Sequence, residues 1–97
     1  MPDKQFNLRV KAEIENVPVV AKFLEEAMLY YGVDEALIFD VNVAVDEACT
    51  NIIQHAYPAE KGPIDISCNK TESKLAVIIK DYGKPFDQTS LPDPDVT

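Results

Sequence analysis

Residues 45–57, Val45-Asp-Glu-Ala-Cys-Thr-Asn-Ile-Ile-Gln-His-Ala-Tyr57, set Glu47, Asn51 and His55 four residues apart in a run that otherwise reads as buried. At about 100° of rotation per residue these three stack on one helical face, with Asp40 near the same stripe. The polar face of an amphipathic helix is most often only its solvated side. This stripe, however, mixes a carboxylate, a carboxamide and an imidazole, whereas a solvated face favours Lys, Arg and Glu at salt-bridge spacing. Between Val33 and Glu60 there is no Lys or Arg. The pattern points to a ligand rather than to bulk water.

Working outward, Asp34 can cap this helix, and Leu37, Ile38, Val41, Val45, Ala48, Ile52 and Ala56 build its apolar face, with Tyr57 and Pro58 marking its end. Upstream, Asn16 with Pro18 starts another helix, in which Val19, Val20, Phe23, Leu24, Ala27, Met28 and Tyr31 recur at helical spacing, and Gly32 closes it. Gln5 to Lys11 alternates Phe6, Leu8 and Val10 with Asn7, Arg9 and Lys11, the pattern of a half-buried strand. Downstream, Glu60 to Pro63 is a turn, and Ile64, Ile66 and Cys68 then alternate with Asp65, Ser67 and Asn69 in a second strand. A turn over Lys70 to Ser73 leads to Leu75–Ile79, a more continuously apolar third strand. The order β-α-α-β-β predicts an α+β domain built as a two-layer α/β sandwich over residues 1–97.

The 97 residues suffice for one small core, and 46% apolar with 27% charged residues is ordinary for a globular chain. No apolar run approaches the roughly 18 residues of a membrane span, and Met1-Pro-Asp-Lys-Gln5 lacks the apolar stretch of a signal peptide. No membrane association and a cytoplasmic location are the expectations. A net charge of −8 with nine scattered basic residues disfavours nucleic acid, which requires clustered Lys and Arg, and fits a protein partner with a basic surface. Cys49 and Cys68 lack metal or redox spacing and read as reduced packing residues.

A second motif, Asp81-Tyr-Gly-Lys-Pro-Phe-Asp87, follows the third strand. A glycine turn at a strand end lets backbone approach a flat ligand, and a carboxylate there can accept a hydrogen bond from an exocyclic amine. Alone, Asp-x-Gly is common in plain turns. Paired with Glu47-Ala-x-x-Asn51 and His55-Ala-Tyr57, it resembles the first two nucleotide-binding boxes of the Bergerat-type ATPase superfamily, which joins gyrase, heat-shock chaperone, mismatch-repair and histidine-kinase ATPase domains. Within it, roughly residues 5–87 resemble the anti-sigma-factor serine/threonine kinase branch. Sensor histidine kinases tend to carry Lys three residues after the Asn that corresponds to Asn51 and a second Gly in Asp-x-Gly-x-Gly; this chain has Gln54 and Pro85 there.

The resemblance implies a Bergerat-type ATP-binding fold, ATP and Mg2+ as cofactors, and roles residue by residue. Asn51 would hold the metal bridging the phosphates, Glu47 would act as general base toward the attacking hydroxyl, and Asp81 would accept the adenine amine. Gly83 would admit the base and Phe86 would wall the pocket. Thr50 and His55 match family positions near the nucleotide. The implied partners are a sigma factor and an anti-anti-sigma protein of the STAS type, the latter also the phosphorylation substrate. The family continues into a lid and a glycine-rich box that holds the phosphates; this chain has only Gly32, Gly62 and Gly83. The expectation is a C-terminally truncated, partial domain, a fragment of a longer kinase, whose exposed sheet edge favours a homodimer. Kinase activity is implied for the full-length parent and left open for this chain. A non-catalytic nucleotide-binding, partner-switching module and a detached histidine-kinase ATPase domain are the alternatives.

Overall fold

The computed structural model describes residues 4–57 and 60–83. Strand β1 (Phe6–Lys11) leads through a short 3-10 turn (Ile14–Asn16) into helix α1 (Val17–Tyr30), helix α2 (Glu35–His55), strand β2 (Pro63–Lys70) and strand β3 (Leu75–Asp81). The strands form one antiparallel sheet in the order β1-β2-β3, with α1 lying over β1 and β2 and α2 over β3. This is the β-α-α-β-β, two-layer α+β architecture that the periodicities predict.

The junction between the helices is written in local chemistry. Gly32 takes φ +81°, its N–H donates to the Leu29 carbonyl at 3.0 Å, and the Val33 N–H reaches back to the Met28 carbonyl at 3.0 Å. That pair of bonds is a Schellman closure, which needs a left-handed residue and so selects glycine. Two residues on, Asp34 is extended and its Oδ1 accepts from the Leu37 N–H at 3.0 Å, capping α2. The start of α1 differs from expectation. Asn16 does not cap the helix with its side chain but donates from Nδ2 to the Lys11 carbonyl at 2.8 Å, tying the end of β1 to the helix start. The preceding 3-10 turn leaves Asn16 with helical dihedrals, so an extended cap geometry is not open to it.

The core lies between the layers: Val20, Leu24, Ala27 and Met28 from α1, Ile38, Val45 and Cys49 from α2, and Ile64, Ile66 and Cys68 from β2, with Ala12 and Tyr57 at its margins. Val19 and Leu37, expected inside, are exposed; each sits about 100° around its helix from a buried neighbour, Val20 or Ile38, and falls off a narrow apolar strip. In the sheet, Leu8 faces Ile66 and Ile66 faces Ile79, so the helix-facing side is a set of apolar cross-strand rows. Strand β3 runs on to Asp81 and buries only one side, with Ile78 exposed on the other, so its apolar run does not signal burial on both faces. No helix among the described residues is long and apolar enough to cross a membrane.

Both cysteines are free and buried, and burial pushes both thiols up from their ordinary range. Their thiolates are therefore disfavoured only in the folded chain. Neither should react with an aromatic disulfide reagent under native conditions, and both should react in denaturant. Because the unfolded thiols ionise first, stability is fully present below about pH 8.5 and should decline above it in urea titrations run at rising pH. Leu24→Ala, at a fully buried site, should cost about 2–5 kcal/mol in the same assay.

Candidate functional site

The polar stripe of α2 opens to solvent. Glu47 and Asn51 are exposed, Thr50 is half-buried, and together with Asp46 they line a shallow groove of about 420 Å³. Asp40 and His55 lie outside that groove, Asp40 two turns toward the helix start and His55 as the last residue of α2. All four lining side chains offer oxygen, and none among them is basic. Asp46 is absent from the residues singled out in the sequence, although an acid beside Glu47 on a ligand-facing helix was there to be read.

The second motif comes to the same helix. Asp81 ends β3 as the cross-strand partner of Ile64, which places it on the helix-facing side of the sheet, under α2. It is exposed, and its Oδ1 accepts from the Gly83 N–H at 3.0 Å. An ionised carboxylate has two oxygens and about four acceptor sites, so that bond leaves capacity for a further donor. Gly83 packs so closely on the end of α2 that a Cβ there would fall 2.0 Å from the Ala56 carbonyl oxygen. Expected as the place where backbone admits a base, this glycine also lets β3 close onto the helix that carries Glu47 and Asn51. Phe86 lies outside the described residues.

Tyr57 holds the junction, a role not evident in the sequence. Its ring is buried, its hydroxyl donates to the Pro63 carbonyl at 2.7 Å, and the same oxygen accepts from the Tyr82 N–H at 2.7 Å. Gly62 makes room for the ring, since a Cβ at that residue would lie 2.2 Å from the Tyr57 Cε1. Lys61 donates to the Ile53 carbonyl at 3.3 Å and so satisfies one of the last carbonyls of α2. One aromatic side chain thus joins the end of α2 to the first residue of β2 and to the residue after Asp81.

Among the described residues no group of three or more His, Cys, Asp or Glu forms an all-protein metal cage. The groove fits a different kind of ion. Magnesium keeps several waters and takes one or two protein oxygens plus phosphate, and exposed oxygen donors at Asn51 and its neighbours are of that type.

With the second motif packed on the end of the helix that carries the first, comparison with known proteins becomes decisive, since residues 10–97 match the model for the histidine kinase-like ATPase domain. The chain belongs to that family. Its similarity within the histidine kinase-like ATPase family extends to proteins named serine-protein kinase RsbW. It is 38% identical over 81 residues to the one from Bacillus velezensis (strain DSM 23117 / BGSC 10A6 / LMG 26770 / FZB42), covering 82% of this chain and 51% of that protein. Against those of Bacillus thuringiensis (strain Al Hakam) and Bacillus cereus (strain G9842) the identities are 31% and 32% over 88 residues, 91% of this chain and 55% of each relative. The chain therefore spans about half the length of the curated relatives it matches, and the expected resemblance to serine kinases within the ATPase family agrees with their names.

Tyr57→Phe removes the one oxygen that serves both Pro63 and Tyr82, and urea denaturation should show a loss of about 1–3 kcal/mol. Gly83→Ala, which drives a methyl group into the Ala56 carbonyl, should shift the Tyr82 and Ala56 amide resonances while leaving those of β1 in place.

Proposed function

We propose that this chain is the ATP-binding portion of an anti-sigma regulatory factor with serine/threonine protein kinase activity, acting in the cytoplasm. The observation that carries the reading is the packing of Gly83 on Ala56, which brings Asp81 to the end of the helix bearing Glu47 and Asn51. Asp81 accepts the adenine amine. Asn51, with Thr50 beside it, would hold a magnesium ion through its amide oxygen, and the ion would supply charge neutralisation for the phosphate chain. Glu47, one turn before Asn51 on the same face, is the general base that orients the attacking hydroxyl and takes its proton. Phosphoryl transfer asks the protein mostly for positioning and charge balance, so a carboxylate and a carboxamide on one rigid helix suit it. The family resemblance would further assign His55 to the vicinity of the nucleotide and Phe86, which lies outside the described residues, to the adenine pocket.

The hydroxyl belongs to a serine or threonine of an anti-anti-sigma partner of the STAS type, and the competing ligand is a sigma factor. The acidic balance of −8 supports a partner surface that is basic. Support for the serine-kinase branch over a histidine kinase comes from relatives named as serine-protein kinases.

Calorimetric titration of Mg-ATP and Mg-ADP into the chain should give binding that Asp81→Asn reduces by at least about tenfold, the scale of a lost charged hydrogen bond. Glu47→Gln should retain nucleotide binding and, in the full-length kinase, lose phosphoryl transfer by a factor on the order of 10²–10⁴. Binding indifferent to Asp81, or transfer indifferent to Glu47, overturns the corresponding role. Retained partner regulation with no phosphorylation by wild-type full-length protein would favour the non-catalytic module.

A further inference from the structure

The side of the sheet turned away from the helices carries an ion-paired cluster that the nucleotide reading does not use. Arg9, Asp65 and Lys80 occupy one cross-strand row, Arg9 facing Asp65 and Asp65 facing Lys80. The Arg9 guanidinium grips the Asp65 carboxylate in bidentate fashion, Nε to Oδ1 at 2.6 Å and Nη2 to Oδ2 at 2.8 Å. The Tyr82 hydroxyl donates to Asp65 Oδ2 at 2.5 Å. The Tyr82 ring lies 5.5 Å from Arg9 Cζ and 5.1 Å from Lys80 Nζ, within cation-π range of both. An exposed ion pair does little for stability by itself, but a bidentate fork that also receives a phenol has a defined geometry.

The residue so held is the middle of Asp81-Tyr82-Gly83. Strand alternation puts the Tyr82 side chain on the face opposite Asp81, while its backbone N–H is taken by Tyr57 from the helix side. Tyr82 is therefore fixed from both faces, and the dihedrals on either side of it aim the Asp81 carboxylate and the Gly83 N–H that donates to it. Without the far-side tether, the last residue of a strand would fray as strand ends do. Resting on the nucleotide reading of Asp81, we propose that Arg9, Asp65 and Tyr82 form a clamp whose function is to position Asp81 for the adenine amine. They are positioning residues and touch no ligand. The Arg9 guanidinium keeps the Asp65 carboxyl well below the usual carboxylate range, and the hydrogen bond that Tyr82 gives Asp65 raises its phenol, so the clamp keeps its donor and acceptor states across the neutral range.

The test is base selectivity. Inosine diphosphate presents a carbonyl oxygen where ADP presents the exocyclic amine, so a well-aimed Asp81 should favour Mg-ADP over Mg-IDP by on the order of tenfold or more. Tyr82→Phe keeps the ring and removes only the hydroxyl; it and Asp65→Asn should each reduce that preference several-fold, with melting temperatures close to wild type. In an Asp81→Asn background, Tyr82→Phe should change the ratio no further, because two residues acting through one contact are not additive. If Asp81→Asn abolishes the preference while Tyr82→Phe and Asp65→Asn leave it intact, the clamp is overturned and the nucleotide reading stands. If the wild-type chain binds neither nucleotide, or Asp81→Asn leaves the preference unchanged, the reading of Asp81 fails and the proposal with it. A ligand-free measurement bears on the clamp alone. Amide hydrogen exchange at Gly83 should be several-fold faster in Tyr82→Phe with the β1–β2 ladder unchanged, and equal rates at Gly83 would overturn it.

Discussion

The site depends on one phenolic oxygen. The Tyr57 hydroxyl has a single proton, which goes to the Pro63 carbonyl, and a lone pair that receives the Tyr82 N–H. These bonds leave the second residue after helix α2 attached to the first residue of the central strand and to the residue beyond the last position of β3. Because the register of β2 with both neighbours is fixed along its length, holding its first residue sets the whole sheet relative to the helix. The two glycines nearby are the steric counterpart of the same joint, one vacating space for the ring and the other for a backbone-to-backbone contact. Removing polar groups from water at such a joint is tolerable only when each is paired, and here one oxygen pairs two of them.

The helix-facing side of the sheet shows where this order is deliberately broken. Its cross-strand rows are Phe6, Cys68 and Val77; Leu8, Ile66 and Ile79; and Val10, Ile64 and Asp81. The third row ends in a carboxylate where packing alone would call for another aliphatic side chain. Folded proteins depart from their own pattern mostly where function requires it. Asp81 escapes burial because the row lies at the sheet's end, so its charge remains in contact with solvent while facing the helical layer.

How much of this could be read from the chain follows from which interactions are local. The closure at Gly32 and the cap at Asp34 are decided within a few residues, and both are as the sequence predicts. The helical stripe through Glu47 and Asn51 is likewise a matter of spacing. Asn16 misleads because a 3-10 turn ahead of it changes its dihedrals, an effect that residue preference does not encode. The boundary of β3 misleads because pairing with Ile64 extends the strand to a residue with poor strand propensity. The Arg9–Asp65–Tyr82 contacts join β1, β2 and the residue just past β3, and periodicity of two says which face a side chain takes but not which partner it meets. Tyr57 was visible as the end of a helix; that its hydroxyl bridges the start of β2 and the residue after β3 is tertiary information.

The charge pattern constrains the ligand in a way that bears on recognition. The groove is lined by Asp46 and Glu47 beside Thr50 and Asn51, on a stretch without a single Lys or Arg from Val33 to Glu60, in a chain of net charge −8. The same repulsion that argues against nucleic acid acts on a bare triphosphate, whose charge is concentrated at the groove rather than spread along a backbone. A phosphate chain would lie there only with its charge offset by a divalent cation, and the neutral oxygens of Asn51 and Thr50 are the ones in the groove that could ligate it without adding to the anionic count. On the proposed reading, recognition at the other end meets no such cost, because adenine is neutral and its amine would be attracted to the Asp81 carboxylate. Affinity for the base and tolerance of the phosphates are, on that reading, separate functions, assigned to β3 and α2, with the packing of Gly83 on Ala56 as the joint between them.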